Sequence, residues 1–457
     1  MIDRPDEKGV GLFGFTHYAT ITNITLKGIS VMGDVYVGGL AGNTYAGIVS
    51  NSSVSGVVSG FMYVGGFIGF NGSNISNSSA SCVVEGGHTM GGFIGCNDRG
   101  GKISDSYATG AVSGEGIAGG FIGENKTGEE ISNSYATGAV SGWNAVGGFI
   151  GVNFLGDKIS NSYATGAVSG INYVGGFIGA NSWGSAISKS YSTGDVTGID
   201  YVGGFIGANS WLGAISESYS TGDVIGIDLV GGFIGSNDSG GDVFDSYSTG
   251  AVSGEGSASG FIGSNYSGIV TNSYARLIDG DNNLSGDIGD ILGALGTDWQ
   301  GSTWGVTEDN FPYLKNLASH TVTITGDVEA TIVVNRGVTA IAPVAPDESV
   351  YIFAGGYDFA SPLTGDFALT AELKYSASSN DALTEPSFKA FPTRTTGVLT
   401  VTGLKAGAVI HVYSAIGMLV ATIRTVDAET TQIDIASLPS GIYFLCAADR
   451  AVRVIKR

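Results

Sequence analysis

Six tyrosines recur at one fixed interval in this chain: Tyr107, Tyr135, Tyr163, Tyr191, Tyr219 and Tyr247. Each stands two residues before a threonine and two after an Asn, Asp, Lys or Glu. A line of aromatic rings beside such polar groups suits a sugar polymer, with rings stacking on rings and the neighbours taking hydroxyls. The plain alternative is that the rings pack on one another and shield a β-ladder. Two acidic pairs follow the same interval, Asp195 with Asp223 and Asp200 with Asp228. On adjacent strands about 4.8 Å apart, such carboxylates repel unless they are hydrated or bridged by a cation. The four are candidate calcium ligands, and a solvated acidic edge is the simpler expectation. No other cofactor is expected.

Elsewhere the chemistry is thin. The four histidines, His17, His88, His320 and His411, have no second His or Cys at metal-ligand spacing. Serines are everywhere, so none stands out, and no Gly-x-Ser-x-Gly elbow sits between a strand and a helix. The glycine-rich turns lack the Lys-Ser/Thr of a phosphate cradle. Cys82, Cys96 and Cys446 form no metal-spaced cluster. Cys82 and Cys96 lie half a period apart and are expected as free thiols, with a disulfide between them as the alternative. No catalytic residue is assigned.

Composition narrows the partners. A net charge of −21 over 457 residues leaves nothing to neutralise phosphates, so nucleic acid is excluded and anionic membranes are disfavoured. A hydrophobic content of 43% argues for a folded chain despite 77 glycines. No run of 18 apolar residues occurs, so no transmembrane helix is expected. Met1–Lys8 is charged and lacks the apolar stretch of a signal peptide, while Val10–Gly14 reads as a degenerate repeat. The chain is therefore expected to start inside, or just before, a longer array.

The elements that must position these residues are copies of one unit. Gly-Gly-Phe-Ile-Gly recurs with its first glycine at 65, 91, 119, 147, 175, 203 and 231; a Leu version starts at Gly38 and a Ser-Gly version at Ser259. The six steps from 91 to 259 are each 28 residues. One unit reads Val146 to Asn153, a short variable stretch, then Ile159 to Gly170. Both halves are short, rich in strand formers and bounded by turn residues, with no helical period. Stacked copies predict an all-β fold, a parallel β-solenoid of about ten coils. Such a stack is a rod of roughly 48 Å.

In such a stack each sequence column becomes a line of side chains. The column Asp105, Asn133, Asn161, Lys189, Glu217, Asp245, Asn272 accepts both charge signs and must face water. Strand alternation puts the tyrosines on that outer face, together with the Thr109 column and the Ala111 column, which admits Asp195 and Asp223. The opposite parity carries Ser, Ala, Gly and an unvarying valine, Val112 to Val252, and is expected inside. The Phe67 to Phe261 column is expected to fill the interior against it, which would turn Ile150 and its equivalents outward; isoleucine inside is the alternative. Asn71, Asn97, Asn125, Asn153, Asn181, Asn209, Asn237 and Asn265 read as a structural amide ladder, with ligand binding as the lesser alternative.

The Gly-Gly-Phe-Ile-Gly unit with its Ser-Tyr-Ala-Thr-Gly partner resembles the GLUG repeat of bacterial surface and secreted proteins, over roughly residues 10–275. Members include IgA-specific peptidases, whose repeats are an accessory to a separate catalytic domain. Trp299, Trp304-Gly305 and Phe311-Pro312-Tyr313-Leu314 resemble the close of such arrays, which implies a cap over the last coil. The C-terminal stretch resembles the type IX secretion sorting domain of Bacteroidetes. The matching residues are 397–401, Ile410–Tyr413, 417–420, Ile433–Ile435, Leu438–Phe444 and the basic end 453–457. Phe391-Pro392-Thr393-Arg394 replaces the family's usual Pro-Asn-Pro opening. The resemblance implies an immunoglobulin-like sandwich, read by outer-membrane export machinery and cleaved on surface attachment.

The expected organisation is a solenoid over 1–275, its cap over 276–318, a linker or small β domain over 319–385 and a sorting domain over 386–457. The function expected first is a non-enzymatic, secreted or surface-displayed scaffold or adhesin-like stalk, anchored through its tail, with glycans or host surface proteins as further partners. A carbohydrate-binding accessory region of a larger surface enzyme comes second. A polysaccharide-degrading solenoid comes third.

Overall fold

The computed structural model describes residues 1–276 apart from 100 and 156–157, and beyond them a series of shorter segments up to 456, the longest being 319–338. Trp299, Phe311, Pro346, Pro392, Thr393, Gly417, Met418, Pro439, Ser440 and Arg457 lie outside the described residues. Two compact units are present, Met1–Trp304 with Leu314–Leu317, and Gly305–Tyr313 with Ala318–Arg457.

The first unit is the expected parallel β-solenoid. One coil runs as Asn144–Gly147, a corner, Ile150–Asn153, the variable loop, Lys158–Ser160, a second corner, Tyr163–Ala164 and Val168–Ser169. Strands like Asn144–Gly147 form a ten-stranded sheet in strict coil order, so ten coils stack among the described residues. Pairing is parallel and column on column: Val146 with Val174, Ile150 with Ile178, Tyr163 with Tyr191.

Glycines make the first corner. A Cβ on Gly147 would collide with the carbonyl oxygen of Ile150, and one on Gly148 with the carbonyl oxygen of Gly176 in the next coil. The chain can thus turn between two sheets within two residues. That corner resets the in–out alternation, and Phe149 and Ile150 are both fully buried. The choice between a phenylalanine and an isoleucine interior was therefore a false one, because parity read along a straight strand does not survive a corner. Eight phenylalanines from Phe67 to Phe261 stack at 4.6–4.9 Å between centroids. Each such pair contributes about 0.5–1.5 kcal/mol beyond its burial. The small inner column behaves as read: Val112, Val140, Val168, Val196 and Val224 are buried, and Val252 half-buried.

The second corner explains the charge-tolerant column. Asp105, Asn133, Asn161, Lys189, Glu217, Asp245 and Asn272 all have φ between 46° and 51°. Asn and Asp enter this left-handed region most readily among non-glycine residues. Water contact is only part of the column's preference, since Asp105 and Asn133 are exposed and the other five half-buried.

Polar ladders run through the interior. Each asparagine amide from Asn71 to Asn237 donates to the side-chain oxygen of the next asparagine at 2.7–2.8 Å. Thr44 starts the line by donating to Asn71 at 2.8 Å. Serines form a second line, in which Ser134, for example, donates its backbone N–H to Ser162 Oγ while its own hydroxyl donates to the Ser132 carbonyl.

In the second unit, Ala330–Asn335, Ser319–Gly326, Phe367–Tyr375 and Ser349–Ala354 form a four-stranded sheet in that order. Further on, Lys389–Phe391, Val398–Thr402 and Thr430–Asp434 form a three-stranded sheet. A five-stranded sheet runs Arg394–Thr395, Arg450–Lys456, Gly441–Ala447, Val409–Ser414, Leu419–Arg424. Leu399, Val401 and Ile433 from the smaller sheet and Ile410, Val412 and Leu445 from the larger share one core. Two sheets on one core match the sandwich implied for the tail. Among the described residues no helix is long and apolar enough to cross a membrane.

Candidate functional site

The tyrosine line exists, but most of it is closed. Rings from Tyr107 to Tyr247 stack at 4.8–4.9 Å with planes within 4° of parallel. Tyr107 and Tyr135 are half-buried, whereas Tyr163, Tyr191, Tyr219 and Tyr247 are 5%, 0%, 0% and 1% exposed. Alternation does hold locally, since each neighbouring Ala108, Ala136 and Ala164 faces the core. The rings shield one another along the stack, and Trp304 lies 6.2 Å from Tyr219 and 6.0 Å from Tyr247. Burial pushes both of those phenols well above their ordinary pKa. The outward, sugar-stacking reading of this column is thus corrected for its C-terminal four rings. Trp304, expected in a cap over the last coil, sits beside coils that precede the final Tyr274 copy.

Beside the open end of that line, Ala111, Ala139, Ala167, Ser113, Ser141 and Asp195 border a groove of about 280 Å³. Small side chains give it room, and Asp195, Thr197 and three serines supply its polar groups.

The aspartates stack as the period requires, with Asp200 paired to Asp228 across adjacent strands. Asp195 and Asp223 are exposed, and one oxygen of each accepts a backbone N–H from the coil above, from Asp223 at 3.0 Å and from Ala251 at 2.8 Å. Asp228 accepts from Leu229 and Ser257. Among the described residues no group of three or more His, Cys, Asp or Glu gathers where it could hold a metal ion. The carboxylates of Asp195, Asp223 and Asp228 serve as ladder acceptors; a calcium site would need further ligands that these pairs do not bring.

All three cysteines are buried, and Cys82 and Cys96 are not bridged to each other. Burial raises the Cys82 thiol to about 12 and, with the Glu124 carboxylate nearby, raises Cys96 as well. Thiols held protonated in this way are poor nucleophiles and poor metal ligands.

Column reading missed a second aromatic line, because it lies in the variable stretch rather than the conserved one. Trp183 and Trp211 stack at 5.1 Å with planes 5° apart and are 48% and 55% exposed. Phe154 meets Trp183 edge-on at 6.0 Å. The available signal is simple: Phe154, Trp183 and Trp211 put a bulky aromatic into the variable stretch of three successive coils.

Comparison with protein families places two known modules on this architecture. Residues 62–82, 86–113 and 144–169 match the GLUG motif, inside the solenoid. Residues 389–457 match the secretion system C-terminal sorting domain, the two-sheet tail. Comparison with curated proteins and with solved structures returned no match. A sorting tail of this kind is read by secretion machinery, so the solenoid is cargo that the tail carries out of the cell. The chain carries GLUG repeats and a type IX sorting domain, and it is secreted or held at the cell surface.

Proposed function

We propose that the chain is a non-enzymatic surface scaffold, an adhesin-like spacer whose solenoid is carried outward and anchored by its tail. The observation that supports this most is the asparagine ladder. Seven consecutive amide bonds of 2.7–2.8 Å run from Asn71 to Asn265, with every asparagine up to Asn237 fully buried. A buried amide so engaged is structural, because freeing it for chemistry would strand its neighbours in an apolar interior. Stacked, regular coils also supply what a spacer needs, with stability that adds along the array.

The test is a search for turnover. Full-length chain incubated with a panel of neutral and acidic polysaccharides should release no new reducing ends or unsaturated ends above a buffer control. Sustained release that scales with protein concentration would overturn the scaffold reading in favour of a polysaccharide-degrading solenoid.

A further inference from the structure

The loop that follows the asparagine ladder changes character in the middle of the array. Its second residue is Arg99 and Thr127 in the earlier coils, Leu155, Trp183 and Trp211 in the middle, and Ser239 and Ser267 at the end. Two large rings therefore stand in register only where Trp183 and Trp211 meet. The backbone presents them at a cost: φ is 61° at Trp183 and 57° at Trp211, a left-handed region that bulky residues avoid. Two hydrogen bonds hold the loops together, Gly184 N–H to the Trp211 carbonyl at 2.8 Å and Leu212 N–H to the Ser239 carbonyl at 3.3 Å.

That register leaves the pair lopsided. Trp183 covers one side of Trp211, while the coil beyond offers Ser239, which has no ring to lay over it. Trp211 and Leu212 are 55% and 69% exposed. Asp238, half-buried, precedes Ser239 and stands near the Tyr173–Tyr201 pair, whose rings stack at 4.7 Å. Burial, Tyr173 and the Asp238 carboxylate together raise the Tyr201 phenol, so Asp238, one residue before the loop position that follows Trp211 in the stack, is within electrostatic reach of that pair. No Lys or Arg occurs in 209–214 or 237–242.

We propose that Trp183 and Trp211, with Leu212, Asp238 and Tyr201 beside them, form a binding site for a neutral pyranose polysaccharide. The apolar face of a pyranose ring stacks on the open indole face of Trp211, and Asp238 and the Tyr201 hydroxyl take the sugar hydroxyls. Absence of a basic side chain in these loops, within a chain of net charge −21, selects against uronic or sulfated polymers. The proposal is independent of the scaffold reading: a scaffold that binds no glycan, and a glycan binder that is no scaffold, both give distinct results.

The experiment is native affinity electrophoresis of the full chain through gels containing a β-glucan, an α-mannan, a galactan, polygalacturonate or heparin, with tryptophan fluorescence as a second readout. At least one neutral polymer is expected to retard the chain, insensitively to salt, and to shift its fluorescence. W183A/W211A should weaken that retardation about tenfold or more, as loss of two stacking rings implies. D238N should weaken it with the melting curve unchanged, and W143A, at an exposed tryptophan outside the site, should leave it as it is. Retardation only by the anionic polymers, by none of the neutral ones, or equally strong in W183A/W211A would overturn the proposal. D238N carries the same decision should the double variant melt differently.

Discussion

Asn209 and Trp211 are two residues apart in one coil, and they belong to opposite worlds. Asn209 is fully buried, donates to Asn237 and accepts from Asn181, each at 2.8 Å. Trp211 is 55% exposed and touches a like residue in only one direction. The asparagine column runs through eight coils and the tryptophan column through two. A side chain that bonds to the coils above and below cannot change without stranding both neighbours. One that projects from the loop can change freely, so recognition is expected where the copies differ and stability where they agree.

Several substitutions would break or sharpen that contrast. The largest effect is expected from Gly148→Val, whose Cβ would strike the Gly176 carbonyl of the next coil. No side-chain rotation relieves a clash with backbone, so a loss above about 4 kcal/mol is expected, read as failure to give a folded array by circular dichroism. Next comes Asn181→Ala, which removes one donor and one acceptor from the ladder. Leaving Asn153 and Asn209 partly unsatisfied should cost about 3 kcal/mol by chemical denaturation. Asn181→Ser, which restores one hydrogen-bonding group, should cost less.

A smaller effect concerns pH. The folded pKa of Tyr219 and Tyr247 is raised by burial, so the folded state holds these protons more tightly than the unfolded chain does. Their contribution is fully present below the unfolded value near pH 10 and falls as pH climbs above it toward the folded values. Alkaline unfolding should therefore steepen above about pH 10, and Tyr219→Phe with Tyr247→Phe should flatten it. The smallest effect on stability is expected from Trp183→Ala with Trp211→Ala, about 1 kcal/mol for the lost ring stack, while glycan retardation weakens about tenfold. A large destabilisation there would mean that the tryptophan line is another structural ladder.

Much of this is legible in the sequence. The 28-residue step set the coil, and the invariance of the asparagines announced their bonding to one another. What failed did so for definable reasons. Phe149 and Ile150 were assigned to opposite faces because a glycine corner is invisible to parity. Strand parity turns the tyrosines to water and carries no sign of Trp304, which lies more than fifty residues beyond Tyr247 and packs beside Tyr219 and Tyr247 from outside the repeat. The tryptophans stay hidden in the sequence because a column that varies looks uninformative. In a repeat protein that variation is itself the signal, and Trp183 and Trp211 are its clearest instance.

Central to the account is that the array is one additive ladder in which any whole copy is dispensable to the fold. Removing residues 144–171 would join Trp143 to Asn172, keeping every column in register. Thermal melting of that deletion measures the claim directly. It should remain folded and lose stability by about one repeat and its interface, while Asn125 bonds onward to Asn181. Collapse of the whole array, or melting in separate stages on either side of the junction, would contradict it.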